Sequence, residues 1–217
     1  MKEKVLIWGA GGHAKVVEDI LRLTGFEVAG FIDEVNPSRR GESFCGATVL
    51  GGAGALEELP AQNVRKAIVA FGDNARRVAR GNQLESAGFE LVVAIHPSAV
   101  IAGDVRMGAG SVIMAGSVIN SHTAIGRHVI VNTRAGIDHD CDIAEGAHVG
   151  PGANIAGDVR IGRCAWIGIG ATVIDHQQIG AGSVVGAGAV VLKNVPENVI
   201  VVGVPARILK QNPSPIK

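Results

Sequence analysis

This sequence predicts two successive architectures: a small parallel α/β sheet over residues 1–93, then a parallel β-helix over residues 94–217 that ends in a C-terminal cap. Three observations carry the prediction. From Ile95 to Val191 every sixth residue is aliphatic, without a slip. Ahead of that stretch, apolar runs alternate with helix-like segments, and the first run opens onto Gly9-Ala10-Gly11-Gly12. Aromatic residues make up only 3% of the chain and tyrosine is absent, which suits a core of stacked Ile, Val and Ala.

The N-terminal elements follow in order. Lys4–Trp8 reads as a strand, the glycines as a turn, and the next segment as a helix with Val16, Val17, Ile20, Leu21 and Leu23 facing inward. A second strand, Glu27 to Ile32, ends on Asp33-Glu34, near the spacing at which a ribose-binding acid follows the glycine turn in dinucleotide folds. A strand at Ala47–Leu50, a helix from near Gly54, a strand at Lys66–Phe71, a helix at Asn74–Ala87 and a strand at Glu90–Ala94 complete a Rossmann-like pattern. Ligands of such sheets sit at the carboxyl ends of the strands, here Gly9–His13, Asp33–Glu34 and Phe71–Asn74. Glycines let the backbone approach phosphate, and a helix amino terminus offers free N–H groups. A glycine turn of this kind also packs helix on sheet, and these residues alone leave both roles open. The third glycine of a redox-dinucleotide motif is missing, since Ala14 and Lys15 stand in its place.

The second segment cannot be helical, because a 3.6-residue period does not keep a six-residue stripe on one face. A hexapeptide repeat is the mark of a parallel β-helix. Each hexad makes one flat side and a turn, and three hexads make a coil. The position four residues beyond each aliphatic one is mostly small or β-branched, from Ala99 to Ala171, with Gln177 the exception. Val195-Pro196-Glu197 and Val201–Arg207 read as the end cap that a solenoid requires. The tail from Asn212, with two prolines, reads as disordered.

Composition excludes several function classes. Twenty basic and twenty acidic residues leave no net charge to attract nucleic acid or an anionic membrane. No apolar run approaches the length of a membrane span, and no signal peptide is evident. Three widely spaced cysteines, Cys45, Cys141 and Cys164, read as reduced thiols of a cytoplasmic protein, not as a disulfide framework or a metal site.

Stacking turns sequence spacing into geometry. Residues eighteen apart lie on adjacent coils, so Ser121, His139, Gly157 and Asp175 share one column. His122, Asp140, Asp158 and His176 share the next and read as an alternating acid–imidazole ladder. A histidine inside Asp138-His139-Asp140 is suited to general-base work, because the carboxylate holds one tautomer and raises its basicity. Gly157, one coil away, leaves room for substrate and offers an N–H to an oxyanion. His148 stacks beside Trp166, as a substrate contact or as packing.

The whole set of motifs resembles one family. Gly9-Ala10-Gly11-Gly12-His13-x-Lys15-Val16-Val17, Asp33-Glu34, Phe71-Gly72-x-Asn74-x-Arg76, the hexads and Val202-Gly203-Val204-Pro205-Ala206 resemble the bacterial sugar acetyltransferases of the sialic acid O-acetyltransferase and nucleotide-4-amino-sugar N-acetyltransferase type, the hexapeptide-repeat acyltransferases. The resemblance implies a left hand for the coil, acetyl-CoA as acetyl donor, no metal, and a homotrimer with active sites between neighbouring β-helices. It implies an N-terminal domain (1–93) for the nucleotide sugar and a β-helix domain (94–217) for acetyl transfer. It places the catalytic histidine on His139 and its partner carboxylate on Asp140, where relatives often carry glutamate. The acetyl-CoA contacts fall on His148, Gly157, Ile169 and Ala187, and the nucleotide-sugar contacts on Gly11, Gly12, His13, Asp33, Glu34 and Gly72. The expected reaction is N-acetylation of a UDP- or GDP-linked 4-amino-6-deoxysugar. Acetylation of a sugar hydroxyl, as on sialic acid, is the alternative. A metal-dependent hydratase on the same solenoid is more remote, since Ala181 stands where a third histidine ligand is sought.

Overall fold

Val5, Leu6, Ile7 and Trp8 are completely buried, as expected of a parallel strand covered on both faces. They form β1 (Lys4–Trp8), the middle of the first of two compact units, Met1–Pro97 and Ser98–Lys217. The computed structural model describes residues 2–59 and 63–213. In the first unit β1 is followed by α1 (Gly12–Leu23), β2 (Glu27–Ile32), the hairpin strands β3 (Ser43–Phe44) and β4 (Ala47–Gly51), β5 (Lys66–Val69), α2 (Asn74–Ser86) and β6 (Glu90–Leu91). The sheet order is β3-β4-β2-β1-β5-β6, parallel throughout except for β3 against β4. The chain steps outward from β1 through β2 to β4, then returns to β5 on the other side. That reversal makes the carboxyl end of β1 a topological switch point.

Several expectations are corrected here. α1 buries Ala14, Val17, Ile20 and Leu21, whereas Val16 and Leu23 are 42% and 47% exposed. Ala14 sets the phase of the buried stripe, and Val16 and Leu23 fall outside it. The helix expected near Gly54 is a 3₁₀ helix, Ala53–Glu58. The strand expected over Glu90–Ala94 divides into Glu90–Leu91 and Ala94–Ile95. α2 starts where Asp73 accepts a hydrogen bond from the Arg76 N–H at 2.8 Å, an N-cap from a favoured residue type.

In the second unit the hexads become two-residue strands, and parallel pairing links residues eighteen apart: Ile119 to Ile137, Ile137 to Ile155, Ile155 to Val173 and Val173 to Val191. Three such stacks make the three sides of a coil. The aliphatic second residue of each strand points inward, and Ile113, Val131, Ile143, Val149, Ile167 and Val185 are fully buried. The small column beside it is buried from Ser111 to Ala171, and its hydroxyls are satisfied: Ser111 Oγ donates to Gly126 O at 2.8 Å and Thr123 Oγ1 to Asp138 O at 2.9 Å. Gln177 is half-buried, as its odd chemistry in that column suggests.

Two glycine requirements coexist in the turns. A Cβ on Gly108, directly after the aliphatic residue, would lie 2.4 Å from Gly126 C in the next coil. The residue three after the aliphatic one takes a left-handed conformation: glycine at Gly110, Gly146 and Gly182, but His122, Asp140, Asp158 and His176 at φ between 52° and 60°. The first column, with glycine at Gly108, Gly126, Gly162, Gly168, Gly180 and Gly186, is plain in the sequence, whereas the second is masked by the histidines and aspartates that share it. Strand Val199–Val202 extends one side of the coil, and Arg207–Gln211 folds back antiparallel to cap it. Asn212 is not loose as expected, for its N–H donates to Asn198 O and its side chain to Gly182 O. Residues 214–217 of the expected disordered tail lie outside the described residues.

Candidate active site

The turn after strand Gly136–Ile137 carries Asp138, His139 and Asp140. Asp140 sits at φ 59°, which aspartate tolerates better than most residues. This conformation brings Asp140 Oδ2 to 2.7 Å from His139 Nδ1. With the proton assigned to Nδ1 by that contact, Nε2 keeps its lone pair and is the basic atom. Asp138 Oδ1 accepts from the His139 N–H at 2.9 Å and from Asn120 Nδ2 at 2.8 Å, so the backbone of the turn is fixed as well. The bond to Asp140 raises the His139 pKa above its ordinary value; desolvation opposes the rise, and the charges of Asp138, Asp140 and Asp158 add to it. The bond from Asn120 chiefly, with that from the His139 N–H, holds the Asp138 carboxyl below the usual range.

Gly157 stands directly above. A Cβ there would meet His139 Cε1 at 2.7 Å and Nε2 at 2.9 Å, so the imidazole occupies the space that a side chain would take. Gly157 O accepts from the His176 N–H at 3.0 Å, while its own N–H donates to no group among the described residues. Of the expected ladder only one rung forms: His176 Nδ1 meets Asp158 Oδ2 at 2.8 Å. His122 turns away from Asp140 to Asp104, at 3.2 Å. Cys141, two residues beyond His139, is buried; desolvation pushes its thiol up to about 11, and its Sγ lies 3.2 Å from Ala156 O. A thiol held that high is not a nucleophile at neutral pH.

The expected acetyl-CoA contacts lie elsewhere on the coil, apart from Gly157. His148 projects from another side, with its Nε2 3.0 Å from Asn132 Nδ2 and its ring stacked on Trp166 at 6.1 Å between centroids. Asn132 escaped the sequence reading; its place eighteen residues before Gly150, beside the His148 strand, was the available signal. Ile169 and Ala187 sit at successive tips of a third feature, the glycine-rich corner Gly150–Gly152, Gly168–Gly170 and Gly186–Gly188, where Gly188 N–H donates to Ile169 O at 2.8 Å. Ile169 is 60% exposed. One chain therefore joins His139, Asp140 and Gly157, and sets His148 and the Ile169–Ala187 corner on other faces.

The first unit has a cavity of about 490 Å³ at the carboxyl ends of β1, β2 and β5. Gly11, Gly12, His13, Asp33 and Gly72 line it, as the sequence suggested, and so do Arg39 and Arg76. Gly9, at φ 131°, is required there, because a Cβ would stand 2.8 Å from Ala70 O. Asp33 shapes the rim: Oδ1 accepts from the Val35 and Asn36 N–H groups, and Oδ2 from Arg39 at 2.9 Å. Glu34 does not line this cavity, because Arg76 holds one of its oxygens at 2.5 Å and Arg80 the other at 2.6 Å. His13, in the first turn of α1, is pushed down to about 4 by burial and by the charge of Arg77, and its Nε2 has no hydrogen-bond partner among the described residues. The cavity thus offers two helix amino termini, two guanidinium groups and a neutral imidazole, a constellation suited to a diphosphate.

Known proteins share this fold. Residues 4–95 match the family described as the PglD N-terminal domain. The chain is 44% identical to perosamine N-acetyltransferase from Caulobacter crescentus, solved in complex with CoA and GDP-perosamine, over 94% of this chain and 96% of that one, with a TM-score of 0.91. Forms of that enzyme with one histidine replaced by asparagine or alanine have also been solved. The acetyltransferase domain of PglB from Neisseria gonorrhoeae FA1090, in complex with acetyl coenzyme A, is 35% identical over 96% of this chain and all of the other, with a TM-score of 0.89. WeeI from Acinetobacter baumannii AYE is 29% identical over 96% of this chain and 100% of that one, with a TM-score of 0.84. The fold is a Rossmann-like sheet followed by a left-handed parallel β-helix, and the protein is an acyltransferase. The chain belongs to the hexapeptide-repeat family of nucleotide-amino-sugar acetyltransferases.

Proposed function

We propose that this enzyme transfers acetyl from acetyl-CoA to the amine of a nucleotide-linked 4-amino-6-deoxysugar. The observation that carries the reading is the His139–Asp140 pair, with the imidazole lodged where a side chain of Gly157 would stand. His139 Nε2 takes a proton from the amine as its nitrogen attacks the thioester carbon. Asp140 stabilises the imidazolium and keeps its ring oriented, and the Gly157 N–H faces the oxygen that gains negative charge. His139 then returns the proton to the departing thiolate, so no covalent enzyme intermediate is needed.

Residues 1–93 bind the nucleotide sugar, through Gly11, Gly12, His13, Asp33 and Gly72, with Glu34 acting through Arg76. Residues 94–217 bind the acetyl donor, through His148, Ile169 and Ala187. Because those three lie on other faces of the coil from His139, we read the working site as shared between copies, in a homotrimer. The three cysteines are free thiols and no helix among the described residues is long and apolar enough to cross a membrane, in keeping with a cytoplasmic enzyme.

The relative solved with GDP-perosamine makes a GDP-linked 4-amino-6-deoxysugar the first substrate to test, with its UDP counterpart and sialic acid beside it. Release of CoA thiol is followed with time, for the parent and for His139→Ala. The expected result is turnover with one nucleotide amino sugar and a roughly 10²- to 10⁴-fold lower kcat in the variant, the usual size of a general-base contribution. Release only with sialic acid would replace the amine by a hydroxyl acceptor. Near-parental turnover in His139→Ala would remove that residue from the mechanism.

A further inference from the structure

Two coils beyond the base, in the neighbouring column, lies a second imidazole that the proposed reaction does not use. His176 Nδ1 is 2.8 Å from Asp158 Oδ2, and its Nε2 is 3.5 Å from Asp175 Oδ2. Asp175 follows Gly157 in the column of His139, and Asp158 follows Asp140 in the neighbouring one. The two columns are tied by backbone hydrogen bonds: Asp158 N–H donates to His139 O at 2.9 Å, and His176 N–H to Gly157 O at 3.0 Å. Gly157, on the coil between them, has no side chain, and the His139 ring reaches into the space that one would fill.

The region is acidic. Asp138 and Asp140 flank His139 on its own turn, Asp158 and Asp175 stand above, and the His122–Asp104 pair lies below. The cations nearby are His176 itself, Arg160, which acts on Asp158, and Lys193, which follows Asp175 along the chain's eighteen-residue spacing. Among the described residues His176 alone touches both upper carboxylates.

We propose that His176 is a positioning residue for the base: lodged between Asp158 and Asp175, it screens His139 from those two carboxylates and keeps the base ready to give up its proton. The inference rests on the assignment of His139 as the base. The two imidazoles repel each other when both are protonated, and the field of His139 opposes the rise that the Asp158 bond causes in His176. Asp158 already favours the His139 imidazolium, and without His176 its pull, together with that of Asp175, would go unopposed. The base would then stay protonated to higher pH.

The test compares His176→Gln, which removes the charge, with His176→Lys, which retains a cation. In His176→Gln the acid limb of the kcat/KM profile, read at low salt, should move up by about 0.3 pH unit, the size that a unit charge two coils (roughly 10 Å) away exerts through water. In His176→Lys it should stay at the parental position or fall below it. Asp158→Asn removes one of the screened carboxylates and should move the limb down; it stands in if the glutamine variant does not fold. The His139 ring is titrated in parallel by NMR, which needs no turnover. A limb and a ring titration that do not move in His176→Gln, or that move alike in the glutamine and lysine variants, overturn the proposal. If His139→Asn instead keeps the parental rate, the base assignment fails, while the NMR titration still decides whether His176 screens that ring.

Discussion

Gly157→Ala is the most direct trial of the site, because the structure sets both its cost and its location. The added Cβ would lie 2.7 Å from His139 Cε1, 2.9 Å from Nε2 and 3.2 Å from Nδ1. Carbon–carbon contacts settle near 3.5–4.0 Å, so the ring must retreat by about 1 Å. The His139 side chain is 59% exposed and has space to move, and Gly157 is not in the left-handed region, so the fold loses little. The backbone N–H also remains. Catalysis has no such slack, for a displacement of about 1 Å in a catalytic group costs roughly 10²-fold. The expected result is a kcat lower by about that factor, an unchanged KM for the nucleotide sugar and a Tm within a few degrees of the parent. Gly103→Ala, whose Cβ would meet nothing within 4 Å, is the control and should keep the parental rate. Initial rates of thiol release and a thermal melt decide the matter. A correctly folded Gly157→Ala enzyme with kcat within about threefold of the parent would refute the stacking of His139 over Gly157 as the working geometry.

Three other outcomes follow from the same structure. In the parent the acid limb of kcat/KM should lie above the ordinary histidine value, because the Asp140 bond raises His139 and the base is lost as pH falls through that raised pKa; Asp140→Asn should move the limb down and lower the plateau roughly tenfold or more, as read from a pH–rate series. His13 is neutral in the folded chain and gains a proton on unfolding below about 6.5, so stability should be full above that pH and decline towards its folded value of about 4, by up to about 3 kcal/mol; urea midpoints measured across that window should show a flatter dependence in His13→Gln. Of the three cysteines only Cys45 is exposed, so a thiol reagent should titrate one per native chain at pH 8 and three after denaturation.

The hexad made much of the site legible, because a fixed eighteen-residue coil converts sequence separation into neighbourhood. His139 under Gly157 and His148 beside Trp166 were readable on that ground alone. What escaped was the direction in which exposed side chains lean. Nothing in the spacing says that His122 turns to Asp104 and not to Asp140, since both carboxylates are its column neighbours and rotamers decide. Glu34 followed a strand end as a ribose-binding acid should, yet α2 supplies Arg76 and Arg80 to hold it. Such long-range pairing leaves no local mark. Val16 failed for a different reason: alanine at position 14 is a weak hydrophobic signal, but it fixes which stripe of α1 is buried.

The strict register of the coil has a consequence for how the gene tolerates length changes. Removing any six residues between Cys141 and Ala156 leaves each aliphatic residue still inside and each turn still a turn, so the folding code is satisfied. Yet Gly157 is then carried round to the next corner, and His139 faces a column that never contained its partner. Removing eighteen shortens the rod by one storey and returns every later residue to its old bearing. The scaffold counts in sixes and the chemistry counts in eighteens. Indels that are silent for folding are therefore read as frameshifts by the active site.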